Sequence, residues 1–336
     1  MEFVLIIPII LSFFITLAIL PLWIKRTKKI GLVWKDMNKY KCQEKIAGSG
    51  GLIVIFGFIA GVLIYVAIKT FIFNTDIIIT KIFVLLTTIL IVGAIGFIDD
   101  ILGWVHGGIS AKLRIILVLF AAIPLMVINA GTSKVVVPFF GVLDLGILYP
   151  LLIIPIGIIG ASVSFNFIAG YNGLEAGQGI LILSAMSIIA LLTGNSWLSL
   201  IALCMVASLF AFLLFNKYPA KVFPGDVMTY PIGALIAIMA ILGNFERIAV
   251  FIFIPYILEV FLKIRGGLKK ESFGKPQQDS SLEMKYKKIY GLEHLAIFIL
   301  KKFKKKAYEK EVVLLIYGIQ AIIIILAFII FRNHLF

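Results

Sequence analysis

Residues 3–24 run for 22 positions without a charge, and comparable stretches recur at 46–68, 82–98, 115–133, 145–174, 176–216, 227–245 and 312–331. Residues 248–264 form one more, interrupted only by Glu259 and Lys263. An apolar run of about 20 residues covers about 30 Å as a helix, the thickness of a bilayer's hydrocarbon core. A helix also satisfies its own backbone hydrogen bonds, which lipid cannot do for it. The 41-residue run must fold back on itself, and Gly194-Asn195-Ser196 is the natural turn. The chain therefore reads as an all-α polytopic membrane protein with about ten transmembrane helices, in a single domain covering residues 1–336.

Composition excludes the other classes. Hydrophobic residues make up 62% and charged residues 14% of the chain, with a mean hydropathy of +1.12. A soluble enzyme is nearer half apolar and a quarter charged, and disordered or coiled-coil chains are more polar still. Cys42 and Cys204 stand far apart without a CxxC, so neither a disulfide framework nor a zinc site is indicated. The first run lacks a basic segment before it and a small-residue cleavage site after it, and reads as a retained span.

The net charge of +14 sets the orientation. One set of alternate loops holds 26 of the Lys and Arg residues, and the opposite set holds Lys69, Lys81, Lys134, Arg247 and Arg332. Basic loops stay in the cytoplasm, so both termini are expected outside. The cytoplasmic segments are then about 25–47, 99–112, 166–178, 216–226 and 265–310. Residues 132–146 resemble a short external β-hairpin. Residues 294–300, running into a lysine cluster, read as an interfacial helix meeting anionic lipid headgroups or as a stop-transfer signal. With the positive charge spent at a membrane face, no nucleic-acid partner is expected.

The polar residues at the cytoplasmic ends of the spans carry the chemistry. Asp99 and Asp100 close the third span, where an orientation rule would place lysine. Adjacent helical side chains point roughly 100° apart, so the two have different jobs. Residues 166–178, Asn-Phe-Ile-Ala-Gly-Tyr-Asn-Gly-Leu-Glu-Ala-Gly-Gln, supply amides and flexible backbone around Glu175. Phe223-Pro224-Gly225-Asp226 places a further carboxylate at a helix start, either as a cap or facing the Asp pair. Hard oxygen donors few in number suit Mg²⁺, which keeps waters and binds substrate phosphates. His106, Gly107 and Gly108 follow the Asp pair, and Lys112, heading span four, reads as a phosphate contact or a snorkelling cation. Glu259 is expected to pair with Lys263 one turn away, and His294 to have no catalytic part. Carboxylates at one surface, rather than at the midplane, count against an ion-coupled transporter.

These motifs, with Lys35-Asp36-Met37-Asn38-Lys39, Tyr218-Pro219 and Leu282-Glu283-Met284-Lys285-Tyr286, resemble the polyprenyl-phosphate N-acetylhexosamine-1-phosphate transferases over nearly the whole chain. The string Asn-Gly-Leu-Glu-Ala-Gly-Gln is similar to the eukaryotic and archaeal branch, the UDP-GlcNAc–dolichyl-phosphate GlcNAc-1-phosphate transferases. The resemblance implies transfer of GlcNAc-1-phosphate from UDP-GlcNAc to a polyprenyl (dolichyl-type) phosphate, beginning lipid-linked oligosaccharide synthesis for protein N-glycosylation. A bacterial-type undecaprenyl-phosphate transferase for envelope polymers is the alternative. It also implies Mg²⁺, with Mn²⁺ as the alternative ion, held by Asn166 and Asp226, and a homodimer as a further expectation. Asp99 or Asp100 would assist the acceptor phosphate, and Lys112 would contact phosphate. Phe223 would stack on uracil, Asn172 would read its edge, and Glu175 and Lys39 would complete the substrate site. Three departures stand out: a longer spacing from Asp100 to Lys112, Val163 where an Asn is usual, and no Arg-His-Arg run in the last loop. Lys275 or Arg265 is the expected replacement for that run.

Overall fold

A computed structural model describes residues 3–41, 45–74, 78–137 and 141–335. Cys42 and the hairpin tip at 138–140 lie outside the described residues, as does the side chain of His106. Among the described residues, seven helices are long and apolar enough to cross a membrane. In our labels the first helices are α1 (Ile7–Ile30), α2 (Gly51–Phe71), α3 (Ile79–His106), α4 (Ala111–Ala121), α5 (Ile123–Val127) and α6 (Ile154–Phe165). They are followed by α7 (Leu174–Leu192), α8 (Ser196–Asn216), α9 (Asp226–Gly243), α10 (Glu246–Ile252), α11 (Ile254–Arg265), α12 (Leu292–Lys304) and α13 (Glu309–Ile330).

Three runs expected as single helices are broken ones. The run at 115–133 divides into α4 and α5 ahead of Pro124, and 248–264 divides into α10 and α11 ahead of Pro255. The run at 145–174 becomes a π-helical turn at Tyr149–Ile153 leading into α6, with Pro150 and Pro155 in the first positions of each piece. Proline lacks the N–H of the helical ladder and clashes with the preceding turn, so each break falls where a proline starts a new segment. The 41-residue run divides as expected, with α7 and α8 meeting around Asn195.

The core centres on α9, where every residue from Val227 to Gly243 is buried. A helix apolar on all sides belongs inside, and α3, α6, α2 and α7 pack around it. Three small antiparallel ribbons complete the fold. β1 (Val33–Lys35) pairs with β2 (Lys45–Ala47), and β3 (Lys134–Val137) with β4 (Gly141–Asp144), which forms the expected hairpin. β5 (Lys275–Pro276) pairs with β6 (Leu282–Glu283). The stretch at 294–300 is helical within α12, which buries Leu292, Ala296 and Ile297 and exposes Phe298 and Phe303.

The packing that positions the site is the approach of α3 to the start of α9. An ideal Cβ on Gly96 would stand 2.4 Å from the Asp226 carbonyl oxygen and 2.6 Å from its carbon. The obstacle is backbone, so a side chain there must push two helices apart. Gly96→Ala is therefore expected to lower stability by about 1–3 kcal/mol, as overpacking of a core does. Gly160→Ala, with nothing within 4 Å of the new atom, should leave the unfolding temperature in detergent unchanged, and equal losses in both variants would contradict this packing.

Candidate active site

One turn beyond Gly96, α3 delivers Asp99 and Asp100 to the first turn of α9. Asp100 Oδ1 accepts the Asp226 backbone N–H at 2.7 Å, and Oδ2 accepts that of Val227 at 3.4 Å. The first N–H groups of a helix have no partner within it, and a carboxylate satisfies both them and the dipole. Gly225, at φ +74°, leads into this turn, and a Cβ there would lie 2.1 Å from Asp100 Oδ2. The position admits only glycine. Asp99, buried, turns the other way: its Oδ1 accepts the Ile109 N–H at 2.7 Å, and its Oδ2 lies 2.6 Å from the Arg114 guanidinium. The two acids thus divide their work as their 100° separation requires.

Arg114, not Lys112, is the cation that α4 presents to the carboxylates. Two residues on a helix are roughly 200° apart. Lys112 is accordingly exposed and off the cavity wall, while Arg114 lines it and lies over the Tyr230 ring, 5.8 Å from the centroid. Ser110 caps α4 by accepting from Leu113, which fixes that rotation.

The opposite wall is a ring of amides and carboxylates drawn from distant segments. Asn38 Nδ2 donates to the Gly170 carbonyl at 2.6 Å, and the Gly170 N–H donates to Glu175 Oε1 at 2.8 Å. Asn172 donates its backbone N–H to Glu309 Oε1 at 2.8 Å and its Nδ2 to Asp36 Oδ2 at 3.2 Å. Lys39 pairs with Glu309, lies 3.4 Å from Asp36, and sits 3.9 Å over the Tyr218 ring. Asn172 and Lys39, expected at the substrate, therefore sit behind the wall and brace it. Asp36, Asn38 and Glu175 form its face. Asn38 Oδ1 and Glu175 Oε2 are buried without a partner among the described residues. Buried polar atoms are usually hydrogen-bonded, so at a cavity wall these two oxygens are free to accept from a ligand.

Phe223 is held by backbone alone. Its N–H donates to Ala47 at 2.8 Å, its carbonyl accepts from Gly50 at 2.9 Å, and Pro224 accepts from Gly51 at 2.9 Å. Asn216 ties the same loop to the amide wall, accepting from Gly173 at 3.1 Å and donating to Val222 at 2.8 Å. Asn166, ending α6, accepts from Thr229 Oγ1 at 3.0 Å. Thr229 lies one turn beyond Asp226 on α9, so the Asn166 amide oxygen and the Asp226 carboxylate flank one stretch of that helix.

All these walls enclose a cavity of about 900 Å³. Of the residues expected from sequence, it brings together Asp99, Asp100, Asn166, Glu175, Phe223 and Asp226. Arg265 and Lys275 are exposed and stand off it, and Lys263, Lys269 and Lys270 line it instead. Lys263 is held in place by Glu259 at 3.6 Å, the pair expected one turn apart, and by Ser272 Oγ at 2.7 Å. Tyr171 accepts from Gly274 at 2.9 Å, and burial raises its phenol well above the ordinary range, so it stays protonated. His294 contacts the Phe273 carbonyl, and burial lowers its pKa, so it stays neutral and structural.

The donor set also bears on a metal. Among the described residues, no three Asp, Glu, His or Cys side chains converge on one point. Mg²⁺ does not need such a cluster, since one or two carboxylates plus substrate phosphates suffice. Asp226 and Asn166 offer that arrangement at the cavity wall.

The glycosyl transferase family 4 profile matches residues 82–244. A Saccharolobus solfataricus protein whose name provisionally assigns it as a UDP-N-acetylglucosamine–dolichyl-phosphate N-acetylglucosaminephosphotransferase is 38% identical over 95% of this chain and 94% of its own length. A Dictyostelium discoideum protein that carries that name without the qualifier is 30% identical over 74% and 69%. The phospho-N-acetylmuramoyl-pentapeptide-transferase of Halalkalibacterium halodurans is 32% identical over 82% and 86%. The matched region runs from α3 to the end of α9, the two helices that bring Asp99, Asp100 and Asp226 together, and the chain belongs to glycosyl transferase family 4.

Proposed function

We propose that this protein transfers GlcNAc-1-phosphate from UDP-GlcNAc to a polyprenyl phosphate of the dolichyl type, releasing UMP. The observation that carries the reading is one cavity with three carboxylates and Asn166 on one side and Arg114, Lys263, Lys269 and Lys270 around it, with Phe223 at its wall. An oxygen of the acceptor phosphate attacks the β-phosphorus of the donor. The bond from that phosphorus to the UMP oxygen breaks, and a lipid diphosphate sugar forms. Such a reaction depends on aligning two anions and neutralising the charge between them. The lysines and Arg114 supply the neutralisation, and a protonated acceptor phosphate would hand its proton to Asp99 or Asp100. Bound Mg²⁺, held by Asp226 and Asn166, would add charge stabilisation at the diphosphate. Phe223 offers a flat face to uracil. The unpartnered oxygens of Asn38 and Glu175 offer acceptors for nucleotide or sugar N–H and O–H groups.

Purified protein given labelled UDP-GlcNAc, Mg²⁺ and a polyprenyl phosphate should yield a lipid diphosphate GlcNAc identifiable by mass. Product with UDP-MurNAc-pentapeptide and not with UDP-GlcNAc would favour the bacterial-type reading. Within this assay, Arg114→Met should lower kcat/KM by a factor of about 100 or more, as loss of a charge-stabilising group does. Lys112→Met should stay within about threefold of wild type, because its side chain faces away. Comparable losses would place both cations at the phosphates.

The metal assignment has its own test. Asp226→Asn should raise the Mg²⁺ concentration needed for half-maximal rate as well as lower the rate. Asp99→Asn should lower the rate with little change in that concentration. Identical metal titrations would remove Asp226 from the metal site.

The same reading includes ten crossings with both termini outside. Its support is that α4/α5, the turn at Tyr149–Ile153 with α6, and α10/α11 each add one broken crossing to the seven long helices. The 26 basic residues then share the face that holds the cavity. A reporter fused after residue 270 should be cytoplasmic and one at the C-terminus external. Finding both on one side would break this topology.

A further inference from the structure

A second cavity, of about 500 Å³, lies apart from the first and is lined by Lys28, Lys45, Ile46, Pro219, Ala220 and Lys221. Three lysines line it and, among the described residues, no carboxylate does. The ion pairs among the described residues use Lys39, Arg114, Lys263, Lys285, Lys301, Lys304 and Lys306, and none uses Lys28, Lys45 or Lys221. Like charges gathered at one recess repel one another, and an anion held between them removes that repulsion. The floor is apolar, formed by the buried Ile46 and Ala220.

The position in the fold names the anion. Lys28 belongs to the last turn of α1, where a cation also complements the helix dipole. On the same helix Leu22 and Ile30, on either side of Lys28, are 67% and 53% exposed. Apolar residues are exposed beside a cation in this way at the level where hydrocarbon meets lipid headgroups. We propose that this cavity binds the phosphate of an anionic phospholipid from the surrounding bilayer, with Lys28, Lys45 and Lys221 on the phosphate and the apolar floor against the glycerol. A basic recess at the cytoplasmic end of membrane helices is a recurrent form of headgroup recognition. A free phosphate would use the lysines but not the floor.

The cavity lies back to back with the loop that presents Phe223. Ile46 precedes Ala47, Lys221 precedes Val222, and Ala47 and Val222 form a parallel bridge. The Phe223 N–H then donates to the Ala47 carbonyl at 2.8 Å. A headgroup bound to Lys45 and Lys221 together clamps the two segments that make this bridge. The inference rests on the membrane placement of the chain and is independent of the reaction it performs.

The test is lipid retention by the purified full-length protein in native mass spectrometry, with phosphatidylglycerol offered against phosphatidylcholine. Wild type should keep one phosphatidylglycerol with at least about tenfold preference, since each lysine near an anionic surface favours the charged lipid severalfold. Lys28→Gln/Lys45→Gln/Lys221→Gln should lose the preference, and Lys25→Gln/Lys29→Gln/Lys302→Gln should keep it. If the first triple variant fails to unfold cooperatively in phosphatidylcholine nanodiscs, the three single variants decide, and each should weaken retention. Retention unchanged in the lysine variants, or lost equally in the control triple, would overturn the proposal. Displacement of the lipid by millimolar inorganic phosphate would overturn the lipid as ligand and leave a free-anion site.

Discussion

The site depends on a helix terminus satisfied from outside its own chain segment. α9 begins at Asp226 without a side-chain cap of its own, and Asp100 on α3 accepts the N–H groups of Asp226 and Val227. Two unpaired N–H groups in this setting would each cost about 1–3 kcal/mol. A carboxylate that supplies both bonds is therefore part of the scaffold as well as of the chemistry. The arrangement works only because Gly96 and Gly225 carry no Cβ at the two points of contact. From it follow the nearness of Asp99 to Asp226, the direction in which Asp99 must turn, and the need for a cation, Arg114, beside it.

This dependence explains what could be read from the sequence and what could not. The carboxylates, Asn166 and Glu175 are legible because charge and amides at the ends of apolar runs stand out against a lipid background, while Phe223 is legible only through the family resemblance. The broken helices were not foreseen, because hydropathy averages over residues and proline breaks at a single one, as at Pro124 and Pro255. For a similar reason Lys112, expected at a phosphate, stands off the cavity that Arg114 lines. Both are basic and both begin α4, and only the rotation of the helix, fixed at Ser110, distinguishes them. Arg265 and Lys275 stand off the cavity, in a segment held by tertiary contacts such as Tyr171 to Gly274, which leave no periodic trace. Asp36 and Asn38 are visible as part of a motif, yet which residues of the stretch from Lys35 to Lys39 face a cavity is a property of the fold.

The amide wall shows the same logic from the other direction. Asn172, the residue best placed by resemblance to read a base, spends its N–H and Nδ2 on Glu309 and Asp36. Glu309 opens α13, the last long helix, and it reaches residues more than 130 positions away in sequence. The wall is thus closed only after the final helix has docked. Because Lys39 joins Glu309 to Asp36, each member of the ring has a charged or amide partner, and removing one leaves another buried and unpaired.

The two faces of the cavity therefore differ in kind. On the α3–α9 side, Asp99 and Asp100 are engaged by backbone N–H groups and Arg114, an arrangement that tolerates concentrated negative charge next to a phosphate only if cations enter with it. On the amide side, Asn38 and Glu175 hold acceptor atoms ready without a protein partner, which suits neutral N–H and O–H groups. A nucleotide sugar has both characters, a diphosphate in the middle and hydrogen-bond donors at either end. The division of the cavity into a charge-balancing face and an acceptor face matches that polarity, and it arises from two independent tertiary contacts, one at the start of α9 and one at the start of α13.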